Sequence, residues 1–225
     1  MAGIYIIFIV FMLISWLVSN QLKSRFEKYS KVGLRSGLSG REVAEKMLRE
    51  SGVEGVRIIS TPGRLTDHYN PLDRTVNLSP EVYEGRSVAA AAVSAHECGH
   101  AVQHARAYSF LKMRSALVPV ISVSSKYMQW VLLAGILMLE TFPGILLAGI
   151  IMFSATTLFS FITLPVEFDA TRRALVWLED SGMTSGQEHT NAKDALKWAA
   201  LTYVVAALAS LATLLYYIMI FMRRR

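Results

Sequence analysis

Four long apolar runs alternate with polar stretches along the chain. The first, "MAGIYIIFIVFMLISWLV" (residues 1–18), is followed by Lys23, Arg25, Lys28 and Lys31. A cleaved signal peptide carries its basic residues before the apolar run and small residues at a cleavage site after it. This segment has neither, so it reads as a retained membrane helix over residues 1–19. Two further runs, about 117–139 and 144–164, flank "ETFPG", whose charge, proline and glycine suit a tight turn. They predict a transmembrane hairpin within residues 115–165. A fourth run over residues 198–222 is long enough to span and has aromatic residues near both ends, as interfacial belts do. Lys126 lies within about two turns of the start of its helix, close enough to snorkel to the headgroups.

Between the spans, residues 20–114 and 166–197 are expected to form one small membrane-anchored α+β domain. "LSGREVAEKMLRESG" opens on Ser39 with Glu42 three residues on, a capping-box pattern, and closes on Gly52. "VRIIS" (56–60) and "TVNLS" (75–79) are β-branched and bounded by the breakers "TPGR" and "NPLD", which predicts a short hairpin or small sheet. After Pro80, Ser87 can cap a helix of about residues 87–108 that carries "VSAHECGHAVQHA".

Composition changes this picture little: 53% of the 225 residues are hydrophobic, too many for an ordinary soluble globule. Charge adds an orientation. Of the 23 Lys and Arg residues, 15 lie between Lys23 and Arg114 and four between Arg172 and Lys197, all on one side if there are four spans. The positive-inside rule makes that side cytoplasmic, with Arg223 to Arg225 opposing it from the far side. The net charge of +6 is interleaved with 17 acids and lacks any recognition-helix or aromatic-platform pattern, so anionic lipid headgroups fit as partners and nucleic acid does not. The single cysteine, Cys98, excludes an intrachain disulfide and a multi-cysteine zinc cluster.

The chemistry lies in "HECGH". On a helix, His96 and His100 differ by about 40° of rotation, so both imidazoles project to one side and can take two corners of a tetrahedral zinc. Glu97, about 100° round, can face a water on the metal without ligating it, as general-base hydrolysis requires. His-Glu-x-x-His on a helix is a zinc-protease signature with this logic. His104 lies about 12 Å along the axis from His96, too far to share one ion, and Cys98 projects to roughly the opposite face. A third ligand must come from elsewhere: Glu167 in "LPVEFDATRRAL", expected to open a helix after Pro165, or its competitors Asp169 and His189, the latter in a polar loop.

Through "DHYNP", "VNLSPEVY", "SAHECGHAVQHA", "LPVEFDATRRAL" and "ALTYVVAAL", the chain resembles, end to end, the YugP-like membrane zinc metallopeptidases of prokaryotes, the neutral zinc metallopeptidase family. More distantly it is similar to the HtpX and CAAX-type membrane proteases. The resemblance implies a gluzincin-like catalytic domain, one zinc ion per chain, Glu167 as third ligand and a protein or peptide substrate. Those relatives usually carry an aspartate four positions after the glutamate, where this chain has Thr171, with Asp169 nearby. His68, Tyr69, Arg173 and Tyr203 are candidate oxyanion or substrate contacts, His104 is expected to lie behind the ligands or on the surface, and the strand at residues 75–79 could pair an extended substrate along its edge. Two other readings stand beside this one. In the first, an intramembrane site-two-type protease, the zinc lies inside a span, against which Glu84, Arg86 and Arg106 lie close to the motif. In the second, a membrane scaffold holds a structural zinc, which would need four protein ligands and has no use for Glu97.

Overall fold

A computed structural model describes residues 2–223, which leaves Arg224 and Arg225 of the basic C-terminus outside the described residues. Four of its helices are long and apolar enough to cross a membrane: α1 (Ala2–Ser30), α5 (Ser109–Leu137), α6 (Pro143–Asp180) and α7 (Gln187–Met222). The others are α2 (Gly40–Glu50), α3 (Pro80–Tyr83) and α4 (Val88–Ala105). Three short strands complete the chain: β1 (Arg57–Ser60), β2 (His68–Asn70) and β3 (Thr75–Leu78).

The long helices outrun their apolar stretches. At 38 residues, α6 would measure about 57 Å, well beyond a hydrocarbon core of about 30 Å. The helix expected to start after Pro165 is instead the last third of α6, which passes through Pro165 unbroken. A proline inside a helix removes one backbone N–H but keeps a helical φ. The reason the helix continues is burial: Val166, Ala170, Ala174 and Leu178 repeat every four residues on one stripe, and all four are fully buried. Likewise α7 begins at Gln187, so His189 sits in its first turn rather than in a loop, and Ala192, Ala195 and Leu196 pack into the core.

The chain divides into two compact units. One gathers Lys112–Pro165 with parts of α1 and α7; the other comprises Val18–Leu111 and Val166–Leu201. In the second, α2 starts on the expected capping box: the Glu42 backbone N–H donates to Ser39 Oγ, and Ser39 N–H donates to Glu42 Oε2 at 2.7 Å. Its apolar face of Val43, Ala44, Met47 and Leu48 is buried in the same core as α4. Ser87 caps α4 by accepting from Ala90 N–H at 3.2 Å, and Ala89 to Ala92 and Ala95 are buried on the helix that follows.

The sheet order is β1-β3-β2, with β1 parallel and β2 antiparallel to β3. The two strands expected from sequence therefore pair in parallel, not as a hairpin. β3 is the buried centre of the sheet, paired on both sides, so it offers no free edge; the edge beside α4 is β2, within "DHYNP".

Candidate metal centre

Helices α4 and α6 can approach closely because the residues between them are small. Ala95, Ala170 and Ala174 are fully buried, and a Cβ added at Gly99 would stand 2.7 Å from the Ala170 carbonyl oxygen. That oxygen belongs to a helix backbone and cannot swing aside. Gly99→Ala is therefore expected to push the helices apart and to destabilise the protein by about 1–3 kcal/mol, the usual cost of overpacking. Thermal unfolding in detergent checks this; an unchanged Tm would show that the contact yields freely.

The close approach brings two residues of α4 against one of α6. His96 Nε2 lies 3.3 Å and His100 Nε2 3.5 Å from the same oxygen, Glu167 Oε2. The ligand atoms of His96, His100 and Glu167 all fall within 4.8 Å of one another. The two rings meet edge to face with centroids 4.8 Å apart. Glu167 and His100 are buried, His96 nearly so.

The remaining ring nitrogens are engaged elsewhere. His96 Nδ1 is 3.2 Å from Thr171 Oγ1, and His100 Nδ1 is 3.1 Å from Gln103 Oε1. Both Nε2 atoms are thereby directed at the carboxylate. Two imidazole nitrogens and a carboxylate oxygen, drawn together in a buried site, form the donor set that zinc takes in catalytic sites, so these residues fit the ion.

Glu97 follows His96 on α4 and is 8% exposed. Its carboxyl is pushed up to about 7, chiefly by burial. The charges of Glu167 and Asp67 add to the rise, while the His96 imidazole and the Tyr69 main-chain N–H on β2 oppose it. Asp67 is fixed at the start of that strand by accepting from Ser79 N–H at 2.7 Å and from its hydroxyl at 3.1 Å. Burial raises the Asp67 carboxyl as well.

Several other residues singled out from sequence have partners outside the converging trio. Asp169 accepts from Gln103 Nε2 at 2.9 Å and pairs with Arg172 and Arg173, which accounts for Arg173 too. His189 Nδ1 is 3.1 Å from Thr184 Oγ1, and its Nε2 is 3.7 Å from Glu179. His104 Nδ1 is 2.7 Å from the Tyr69 hydroxyl, and His68 Nδ1 is 2.8 Å from the Thr66 carbonyl. Tyr203 lies on α7 in the other unit. Cys98 is buried with its sulfur 3.7 Å from the Ala44 carbonyl, and burial pushes its thiol up. Gln103 was not anticipated, and Thr171 was noted only as the position where relatives carry an aspartate, not as a partner of His96. The signal for Gln103 was its place three residues after His100, on the face of the imidazoles; for Thr171 it was its place one turn after Glu167.

Residues 4–222 match the family described as "Putative neutral zinc metallopeptidase". The chain is 42% identical over 212 residues to the "Putative membrane protease YugP" of Bacillus subtilis (strain 168), covering 94% of this chain and 93% of that protein. No solved structure matches it significantly. With family and relative both matched over nearly the whole length, the chain belongs to the neutral zinc metallopeptidase family.

Proposed function

We propose that this protein is a zinc-dependent, multi-pass membrane endopeptidase that hydrolyses peptide bonds of membrane or membrane-proximal proteins. In this reading His96, His100 and Glu167 hold one zinc ion, and Glu97 is the general base in a gluzincin-like α+β domain at the cytoplasmic face of a prokaryotic membrane. The observation that carries it is Glu97: a buried carboxylate beside three converging ligand groups, yet not one of them. Burying such a group is costly, and a metal-bound water in front of it would offset that cost.

What zinc supplies at this position is Lewis acidity, lowering the pKa of water toward neutrality and polarising a carbonyl. Glu97 takes a proton from the attacking water as its oxygen bonds to the scissile carbonyl carbon. It then delivers that proton to the nitrogen as the carbon–nitrogen bond breaks, so the leaving amine departs neutral. Burial raises this carboxyl above the ordinary carboxylate range, which strengthens it as a base. The Tyr69 main-chain N–H steadies its charged form.

A structural zinc closes its sphere with four protein ligands, whereas among the described residues the group comprises three, leaving room for water or substrate. The intramembrane alternative finds little support, because α4 is not among the helices able to span. The basic balance of the segments around the site favours the cytoplasmic side.

The test is metal removal combined with proteomics. Detergent-purified protein should carry one zinc per chain, lose it to a strong chelator, and regain cleavage when zinc is restored. Substrates come from comparing membranes of cells with active protein and with Glu97→Gln protein. Cleavage that persists after the metal is stripped would sink the proposal.

A further inference from the structure

We infer that Gln103 is a positioning residue of this centre: its amide holds His100 with a hydrogen on Nδ1 and Nε2 left for the metal, and it ties that choice to α6. The inference rests on the reading of His96, His100 and Glu167 as zinc ligands.

Gln103 is fully buried, yet both ends of its amide are engaged. Its Nε2 donates to the Val166 carbonyl at 2.8 Å and to the Asp169 carboxylate at 2.9 Å. Both partners are acceptors only, so the amide cannot be turned round without setting oxygen against oxygen twice. The nitrogen therefore faces α6, and the oxygen faces His100 Nδ1, 3.1 Å away. That oxygen can only accept, so Nδ1 must carry the hydrogen. Nε2 is then the nitrogen left for the metal, and it is the atom aimed at Glu167 Oε2.

The anchor is itself held. Asp169, which fixes the amide nitrogen, is paired with Arg172 and Arg173 on its own helix. A relay thus runs from Arg173 through Asp169 and Gln103 to His100, crossing from α6 to α4. The Val166 carbonyl directly precedes Glu167, so the same side chain also fixes one ligand-bearing helix against the other at the level of the site. His96 is held differently: the Thr171 hydroxyl can donate or accept, and so imposes no tautomer. The centre has one imidazole set in advance and one that adapts.

Two measurements test this. The first is zinc affinity, by competition with a chelator in detergent, for the full-length wild type and Gln103→Met, which keeps the length of the side chain and loses the amide. Removing a partner that orients a ligand should weaken zinc about 10–100-fold. A lower Tm with unchanged affinity would mean that Gln103 only joins the helices, and would overturn the inference. The second needs no Gln103 variant: nitrogen-15 spectra of histidine-labelled, zinc-free protein, with the His100 signals assigned by their loss in His100→Ala. Wild-type His100 should carry a hydrogen on Nδ1, whether or not Nε2 also carries one. Wild-type His100 with no hydrogen on Nδ1 overturns the inference and leaves the metal centre intact. Full zinc affinity in His100→Ala overturns the centre itself, and the role of Gln103 with it.

Discussion

Glu97→Gln is expected to keep one zinc per chain and to cut peptide hydrolysis by about 10²–10⁴-fold, the usual worth of a general base. Glutamine has the same shape but cannot take a proton, and Glu97 is outside the group of converging ligand atoms. Stability should not suffer. A carboxyl whose folded pKa is raised by burial costs stability once ionised, and Glu97 is pushed up to about 7. In the zinc-free protein that cost begins above the ordinary carboxyl pKa and is fully present above about 7, so there a neutral amide should leave Tm at neutral pH unchanged or higher. Elemental analysis, thermal unfolding and cleavage of a substrate identified in cells read the three quantities. Cleavage within tenfold of wild type would remove Glu97 from the chemistry, and loss of zinc would make it a ligand instead.

The four apolar helices were legible because a bilayer imposes a length and composition that no other setting demands. The polar continuations of α6 and α7 were not, because burial of their small residues in the second unit sustains them, and a proline at 165 looks like a boundary in one dimension. Strand β2 was hidden for a related reason: His68, Tyr69 and Asn70 carry no alternating pattern, and only pairing with β3 makes them a strand. At the site, periodicity alone places two imidazoles on one face of α4. It cannot tell which polar neighbour is turned inward, which is why Gln103 escaped notice while His68 and Arg173 attracted it. Glu167 is 67 positions beyond His100, and only tertiary packing across Gly99 and Ala170 brings the two together.

That packing makes Glu167→Ala the decisive ligand test. Zinc affinities of about 10–16 kcal/mol in four-ligand sites amount to roughly 3 kcal/mol per ligand, so losing one should weaken binding about a hundredfold or more. Glu167 also supplies the trio's one negative charge, so Glu167→Gln, which keeps shape and removes charge, should lose most of the same affinity. The competitors predict otherwise. Asp169 is engaged by Gln103 and two arginines, so Asp169→Ala should act only through Gln103 and cost less than Glu167→Ala. His189 is occupied with Thr184 and Glu179, and His189→Ala should leave zinc binding unchanged. Chelator competition across these four variants ranks them directly. Full affinity in Glu167→Ala would move the third ligand elsewhere, and the larger loss falling on Asp169→Ala or His189→Ala would say where.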